Sequence, residues 1–397
     1  MKLVLDPAQA MLAKTAADFA AKQQPVERLR ALRDARDELG YTPSVWSAMA
    51  DLGWTGIPFR EDDGGLGMGM AEVVLITESL GRGLAPEPYL SAVVLAGGLV
   101  SALGSEAQRA AWLAPTIDGS KRLALAQHDE GTRFDPATCL SSAVSDGDGW
   151  RLSGRKAHVI DGFAADAYVV VARTSGEQHD RDGISLFLVP ADRAGVEVTR
   201  QWRVDSRNAA QVHFADVALS RDDLLGELGE GLQPLEEAID RATVALCGEM
   251  LGLMREAFER TIEYLKTRQQ FGVAIGSFQA LQHRAAEQFV EIELCKSVVM
   301  AAARSLDEVG GEGGEPERRS RAVAQVSNAK ARCSDAVILV TNEALQMHGG
   351  VGMTDEYDIG LFMKRAREAL EAYRVAADQG PVRGRKSGRA WWRARAA

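Results

Sequence analysis

The chain has 397 residues, of which 46% are apolar and 26% charged, the balance of a globular protein with room for two or three separately cored domains. A formal charge of -10 excludes a nucleic-acid surface, which needs a basic face for phosphates. Six basic side chains crowd into Pro381–Ala397 without one acid, and that segment reads as a disordered surface extension. Cys139, Cys247, Cys295 and Cys333 are scattered, with no C-x-x-C pair, and read as reduced core thiols. The start, Met1 to Pro7, lacks the basic-then-apolar order of a secretory signal. The most apolar stretch, Tyr89 to Gly104, holds adjacent glycines and falls short of a membrane span. The expectation is a cytoplasmic protein with neither membrane nor nucleic acid as a partner.

In chain order, the segment from Asp6 to about Gly119 has helical periodicity. Leu12, Ala16, Phe19 and Ala20 form one apolar stripe, and Val73, Leu75, Ile76 and Leu80 another. A glycine-dense loop, Arg60 to Gly69, lies between them. From about Ser120 to Gly231 the texture changes to short β-prone runs: Leu123–Ala126, Trp150–Leu152, Ala167–Ala172, Ile184–Val189, Val196–Thr199 and Val212–Phe214. With no long helix between them, they predict an antiparallel sheet or barrel. Beyond Leu235 the helical period returns, and Leu246, Met250, Met254, Phe258 and Ile262 recur every four residues. Further helices are predicted over Ser277–Leu306, Arg318–Gly349 and Tyr357 to about Asp378, with an acidic glycine loop over Asp307–Pro316. The class is therefore α+β. Its segments are a helical one (1–119), a β-domain (120–232), a four-helix bundle (233–380) and the basic tail (381–397).

Hydrolase, P-loop and H-E-x-x-H zinc signatures are absent, and the glycines at 64–69 do not follow a strand. No pair among the six histidines has metal spacing, so no metal is expected. Gln346-Met-His348-Gly349-Gly350-Val-Gly352 closes one helix and opens towards the next. Such glycines admit a bulky ligand, and a following helix N-terminus favours phosphate. On spacing alone a helix C-cap followed by a turn is the better reading.

Taken together, four stretches resemble the acyl-CoA dehydrogenase family. They are Gly53-Trp-Thr-Gly56-Ile-Pro58 with Gly64-Gly65-Leu-Gly67 and Glu78; Gly154-Arg-Lys156 followed by Ala165-Asp166; Arg268-Gln-Gln-Phe271-Gly272 through Phe278-Gln279; and Gln346 through Glu356-Tyr357. The order is right and nearly the whole chain is covered. Within the family the wording is nearest the small-subunit type of pimeloyl-CoA dehydrogenase, with steroid-side-chain dehydrogenase subunits as relatives of the same kind. The resemblance implies N-terminal helices, a middle β-domain, a C-terminal four-helix bundle, and FAD. It also implies α,β-desaturation of an acyl-CoA, in which a carboxylate takes the α-proton and the flavin takes the hydride. Electron-transfer flavoprotein or a similar acceptor would then take the electrons. In the family, one subunit lends its bundle motifs to the adenine–pyrophosphate half of a neighbour's FAD. By that resemblance Arg268 pairs with pyrophosphate, Phe271 lies at the adenine, Gln279 and Gln346 hydrogen-bond the cofactor, and Gly349 and Gly350 admit its backbone contacts.

Two departures weigh against a complete active site. The flavin-ring loop, usually Thr-Glu-Pro then Gly-Ser-Asp, is Gln127-His128-Asp129-Glu130-Gly131-Thr132, and the usual Lys-x-Trp-Ile-Thr is Lys156-Ala-His158-Val-Ile160. The family's carboxylate is also missing. Its usual register, a Tyr-Glu-Gly, reads Glu371-Ala372-Tyr373-Arg374, and the alternative on the earlier bundle helix falls near Ala242. Glu371 and Asp240 stand close by but displaced, and an offset of one or two positions turns a helical side chain well away. Both read as solvated helix faces, or for Asp240 as a wall of the acyl-CoA cleft, so no catalytic residue is assigned. His128 and Thr132 can replace the lost donors, although modified loop residues are the plainer reading.

The expectation is the non-catalytic half of a heterotetramer with a homologous subunit. Its rivals are a self-sufficient homo-oligomer using a displaced acid, a structural or regulatory subunit without turnover, and a monooxygenase or nitroalkane-type oxidase on the same fold.

Overall fold

The computed structural model describes residues 4–132, 135–309 and 316–372, and the basic tail expected at 381–397 lies outside them. Helix α1 (Pro7–Gln23) begins at a reciprocal cap. Asp6 accepts from the Gln9 amide at 2.9 Å, Gln9 accepts the Asp6 N–H at 3.2 Å, and Pro7 takes the first helical position. Helices α2 (Val26–Asp34) and α3 (Pro43–Asp51) follow, then α4 (Met70–Arg82). The apolar stretch near residue 90 is a buried π-helical run, Tyr89–Gly97, leading into α5 (Gly98–Leu103), α6 (Glu106–Gln108) and α7 (Ala114–Ile117). Among the described residues no helix is long and apolar enough to cross a membrane.

The strands are β1 (Leu123–Ala126), β2 (Ser142–Asp146), β3 (Gly149–Ile160), β4 (Ala167–Arg173), β5 (Ile184–Pro190), β6 (Val196–Trp202), β7 (Asn208–Leu219) and β8 (Leu224–Leu225). They form one sheet in the order β6-β7-β3-β2-β4-β5-β8, with β1 added to β4. Pairing is antiparallel except that β1 runs parallel to β4 and β2 meets β4 in one parallel pair, Ser142 with Arg173. The wholly antiparallel expectation fails there because the β2–β3 hairpin intervenes and returns the chain in its original direction. Strand β4 is buried along its length: Ala167, Val169 and Val171 join the helical core, while Tyr168, Val170 and Ala172 fill the sheet's own core.

The bundle consists of α8 (Leu232–Thr267), α9 (Gln279–Val309), α10 (Pro316–His348) and α11 (Ile359–Glu371). Asp307 lies in the last turn of α9, not in a loop, and accepts the first amide of α4, Met70 N–H, at 2.6 Å. The acidic loop assigned from 307 therefore starts later, and residues 310–315 of it lie outside the described part. So does anything of the fourth helix beyond Ala372. Helix α8, 36 residues and about 54 Å long, packs against α4 at a glycine crossing. A Cβ at Gly252 would stand 1.9 Å from the Glu78 carbonyl oxygen, so any side chain there would force the helices apart. All four cysteines are buried free thiols.

A buried ionic network joins sheet, bundle and N-terminal helices. Arg365 of α11 donates to Glu249 of α8 at 2.6 Å and to Asp205, between β6 and β7, at 2.7 Å. Arg207 lies 3.4 Å from Asp161, which accepts from the Ser91 hydroxyl at 2.5 Å. Charges this deep are tolerated because each has a partner.

Candidate functional site

Helix α8 ends at Arg268, whose extended backbone starts a small hairpin, β9 (Gln269–Gln270) against β10 (Val273–Ala274). Both turn residues, Phe271 and Gly272, have left-handed backbone, at φ 55° and 79°. Such two-residue turns match the strand twist, but a phenylalanine there is strained. Its ring is 93% exposed, touching Phe278 edge-on with centroids 6.2 Å apart. A strained, bare aromatic is suited to a flat partner.

The other glycine motif arrives at the same end of the bundle, because α9 returns the chain in the opposite direction, so α8 and α10 run parallel and their C-termini meet. His348 stacks on Tyr264 at 4.4 Å, one turn before Arg268. Its Nδ1 faces the Ala344 carbonyl at 2.7 Å, and its Nε2 is buried with no partner among the described residues. Gly349 is left-handed at φ 66°, and a Cβ built at Gly349 or Gly350 meets nothing within 4 Å. Gln346 and Gln279 are exposed at this end. The glycines lead into a short 3₁₀ turn, Gly349–Met353, and α11 begins only at Ile359. The expectation that the glycine motif opens directly on a helix N-terminus is corrected: the bare amides are those of the turn.

A separate cleft of about 700 Å³ opens where the sheet meets α11 and the π-helical run. His128 and Thr132, read from sequence as modified loop residues that can replace lost flavin donors, and His158 and Ile160, which stand where the family's Trp and Thr are missing, all line this cleft. Behind them, the fully buried Lys156 ammonium lies 2.9 Å from Asp129 and donates to the Gln127 carbonyl at 2.9 Å. The Ala157 amide donates to the His128 carbonyl at 2.8 Å, which pins the loop to β3. His158 stands at φ 53° in a bulge between Lys156 and Val159. Burial, with the charges of Lys156 and His158, lowers His128 to about 4 against the pull of Asp129, so it is a neutral imidazole at physiological pH.

Glu371 is exposed, as expected of a solvated helix face, and it also lines the cleft. Beside it, Glu368 accepts from Arg203 at 2.6 Å. Sequence reasoning missed Ser91, Arg203 and Glu368, which lie in three distant segments without a local signature.

Asp240 is not among the residues lining this cleft, and its side chain is half-buried rather than freely solvated. Burial, reinforced by Glu236 and Glu237 and opposed by Arg319, pushes its carboxyl up to about 7. The folded state then binds an extra proton between about pH 4 and 7, so stability falls as pH rises through that window. Roughly three pH units at about 1.4 kcal/mol each amount to on the order of 4 kcal/mol. Asp240→Asn should therefore melt higher than the parent at pH 8 and nearly with it at pH 4. Equal melting temperatures at pH 8 would rule out the buried acid.

Three family models, described as the N-terminal, middle and C-terminal domains of acyl-CoA dehydrogenase, match residues 6–120, 124–217 and 229–371. The chain belongs to the acyl-CoA dehydrogenase family. A probable acyl-CoA dehydrogenase of Bacillus subtilis, YngJ, is 27% identical over 373 residues, covering 92% of this chain and 94% of the relative. The ChsE4-ChsE5 complex of Mycobacterium tuberculosis superposes with a TM-score of 0.83 at 25% identity, covering 96% of each chain. The Tcur3481-Tcur3483 steroid acyl-CoA dehydrogenase gives 0.79 at 29% identity, with 94% and 95% covered.

As a member of this family, the chain is built on the fold of FAD-dependent oxidoreductases acting on CH–CH bonds, and FAD is its cofactor. The bundle end fits the adenine–diphosphate half of FAD: a guanidinium at a helix end, a bare aromatic ring, and glycine amides open to approach. The cleft is large enough for a flavin ring, but it presents His158 and Ile160 where an acyl-CoA dehydrogenase usually has its ring-covering Trp and ring-bonding Thr.

Proposed function

We propose that this chain is the FAD-binding, non-catalytic half of a heteromeric acyl-CoA dehydrogenase. One asymmetry carries the reading: the set Arg268, Phe271, Gln279, Gln346, Gly349 and Gly350 is kept at the exposed bundle end, while the chain's own cleft lacks the ring supports and the aligned carboxylate. Bound FAD supplies the hydride acceptor for α,β-desaturation of an acyl-CoA thioester. This chain's part is to bind and orient. Arg268 grips diphosphate, Phe271 covers adenine, the two glutamines donate to the cofactor, and the partner subunit holds the flavin ring and the base. Similarity to the ChsE4-ChsE5 complex supports a homologous partner in a heterotetramer, and similarity to Tcur3481-Tcur3483 supports a steroid-side-chain thioester as substrate. Electron-transfer flavoprotein or a similar carrier would accept the electrons.

The test is a flavin titration. The chain alone should be flavin-poor and inactive on acyl-CoA, and co-expressed with its partner it should give an equal-ratio complex with one FAD per pair. One FAD per single chain with acyl-CoA turnover would refute the proposal.

A second reading has its own observation. Glu371 lines the cleft, so a self-sufficient enzyme with Glu371 as base is chemically coherent. Glu371→Gln distinguishes the two: loss of a true general base costs about a hundredfold or more, whereas the heteromeric reading expects desaturation by the complex to stay within a small factor.

A further inference from the structure

Just beyond the bare glycines the chain turns acidic, with Asp355, Glu356 and Asp358 inside one short segment. Negative charge there opposes a diphosphate, since like charges brought close together repel. The fold brings cations to it from elsewhere. Arg33 of α2 grips Asp355 with both ends of its guanidinium, Nη1 to Oδ1 and Nη2 to Oδ2, each at 2.7 Å. Arg30, one turn earlier, donates to the Asp355 backbone carbonyl and, through Nη2, to Asp358 at 2.8 Å. Arg260 of α8 takes the other oxygen of Asp358 at 3.1 Å. The same segment is held from inside, where Tyr357 packs on His348 at 4.9 Å.

As a contribution to folding the outer pair is weak, because the Asp355 side chain is 63% exposed and such pairs add little. Its bidentate geometry nevertheless fixes a direction. What Arg33 and Arg30 change is the charge and position of the segment immediately after Gly349–Gly350.

We propose that Arg30 and Arg33 are positioning residues for the cofactor: they neutralise Asp355 and Asp358 and hold the 349–358 segment so that a diphosphate can lie on the glycine turn beside Arg268. Helix α2, in the N-terminal helical part, thereby becomes a component of a site whose contacting residues all belong to the bundle. The inference rests on the assignment of Arg268 and Gly349–Gly350 to the adenine–diphosphate half of FAD.

The experiment uses the flavin-loaded assembly, with FAD retention on dilution read by flavin absorbance and fluorescence. Arg33→Ala should weaken retention about tenfold, and raising the salt concentration should restore part of it, because the exposed Asp355 charge is then screened. Adding Asp355→Asn to Arg33→Ala should return retention close to the parent value. A merely mechanical pin would leave the double variant as weak as the single one. That result, or unchanged retention in Arg33→Ala, overturns the proposal. If Arg33→Ala does not assemble, the swapped pair Arg33→Asp with Asp355→Arg is read instead: retention near the parent supports neutralisation, and loss of flavin overturns it. Arg268→Ala is the control for the underlying assignment. If it keeps its flavin, the half-site is misassigned; if it loses flavin irrespective of salt while Arg33→Ala does not, only the role of the α2 arginines fails.

Discussion

An assembled enzyme carrying Arg268→Ala should be purified without FAD while its quaternary structure survives. The side chain is exposed at the end of α8, so truncation removes no core packing, and surface changes of this kind usually alter stability by about 0.5 kcal/mol or less. What is lost is a planar fork that makes charge-assisted hydrogen bonds to phosphate oxygens, each worth about 1.5–3 kcal/mol. Two such bonds, about 3–6 kcal/mol together, correspond to roughly a hundredfold to twenty-thousandfold in retention. Arg268→Lys should recover only part of it, because an ammonium keeps the charge and loses the fork. The flavin-to-protein absorbance ratio, with size-exclusion chromatography to confirm assembly, decides the matter. A full complement of flavin in a correctly assembled Arg268→Ala enzyme would show that the diphosphate lies elsewhere.

The parts of this molecule legible from sequence are those whose cause is local. Long helices announce themselves by periodicity, and α9 and α10 begin and end within three residues of their predicted limits. Strands β4 and β5 were legible because both faces are buried, which gives continuous apolar runs. Strand β2 was missed for the opposite reason, since its outer residues are solvated and Ser142-Ala-Val-Ser-Asp146 carries little apolar signal. Strand β3 was cut short because Ser153 through His158 is mostly polar, although Lys156 there is buried against an acid that no sequence window contains. The hairpin at Phe271 was hidden because a phenylalanine takes a backbone conformation that usually calls for Gly or Asn. In the candidate site, Arg268 and Gly349–Gly350 are assigned to the cofactor only through resemblance, since spacing alone reads the glycines as a helix cap, and nothing in it says that His348 stacks on Tyr264 to bring them together. Asp240 shows the limit most clearly: a helical wheel gives its direction along α8 but not the burial that raises its carboxyl.

The second large effect lies behind the cleft. Lys156→Met should destabilise the protein by about 3–5 kcal/mol, the usual cost of stranding one partner of a buried ion pair. Lys156 has no exposed surface, and Asp129 retains only 3% of its own. Without the ammonium, Asp129 keeps the Ser141 hydroxyl and the Leu140 amide but no compensating charge. In the parent, burial pushes the Asp129 carboxyl up, and Lys156, with those two hydrogen bonds, outweighs it and holds the group below the ordinary carboxylate range. Its stabilising contribution is therefore complete above the unfolded pKa and is lost as pH falls through the lower folded value. In Lys156→Met the upward push of burial is no longer opposed by the ammonium, so the carboxyl rises. The penalty should then be largest near pH 7 and shrink in acid as Asp129 takes a proton. Adding Asp129→Asn removes the stranded charge while leaving groups that can still meet Ser141 and Leu140, and should recover most of the loss. Denaturant unfolding at pH 7 and pH 5 measures each arm. A single variant within about 1 kcal/mol of the parent at pH 7, or a double variant no more stable than the single one, would mean that the pair is not what anchors the 127–132 loop to β3.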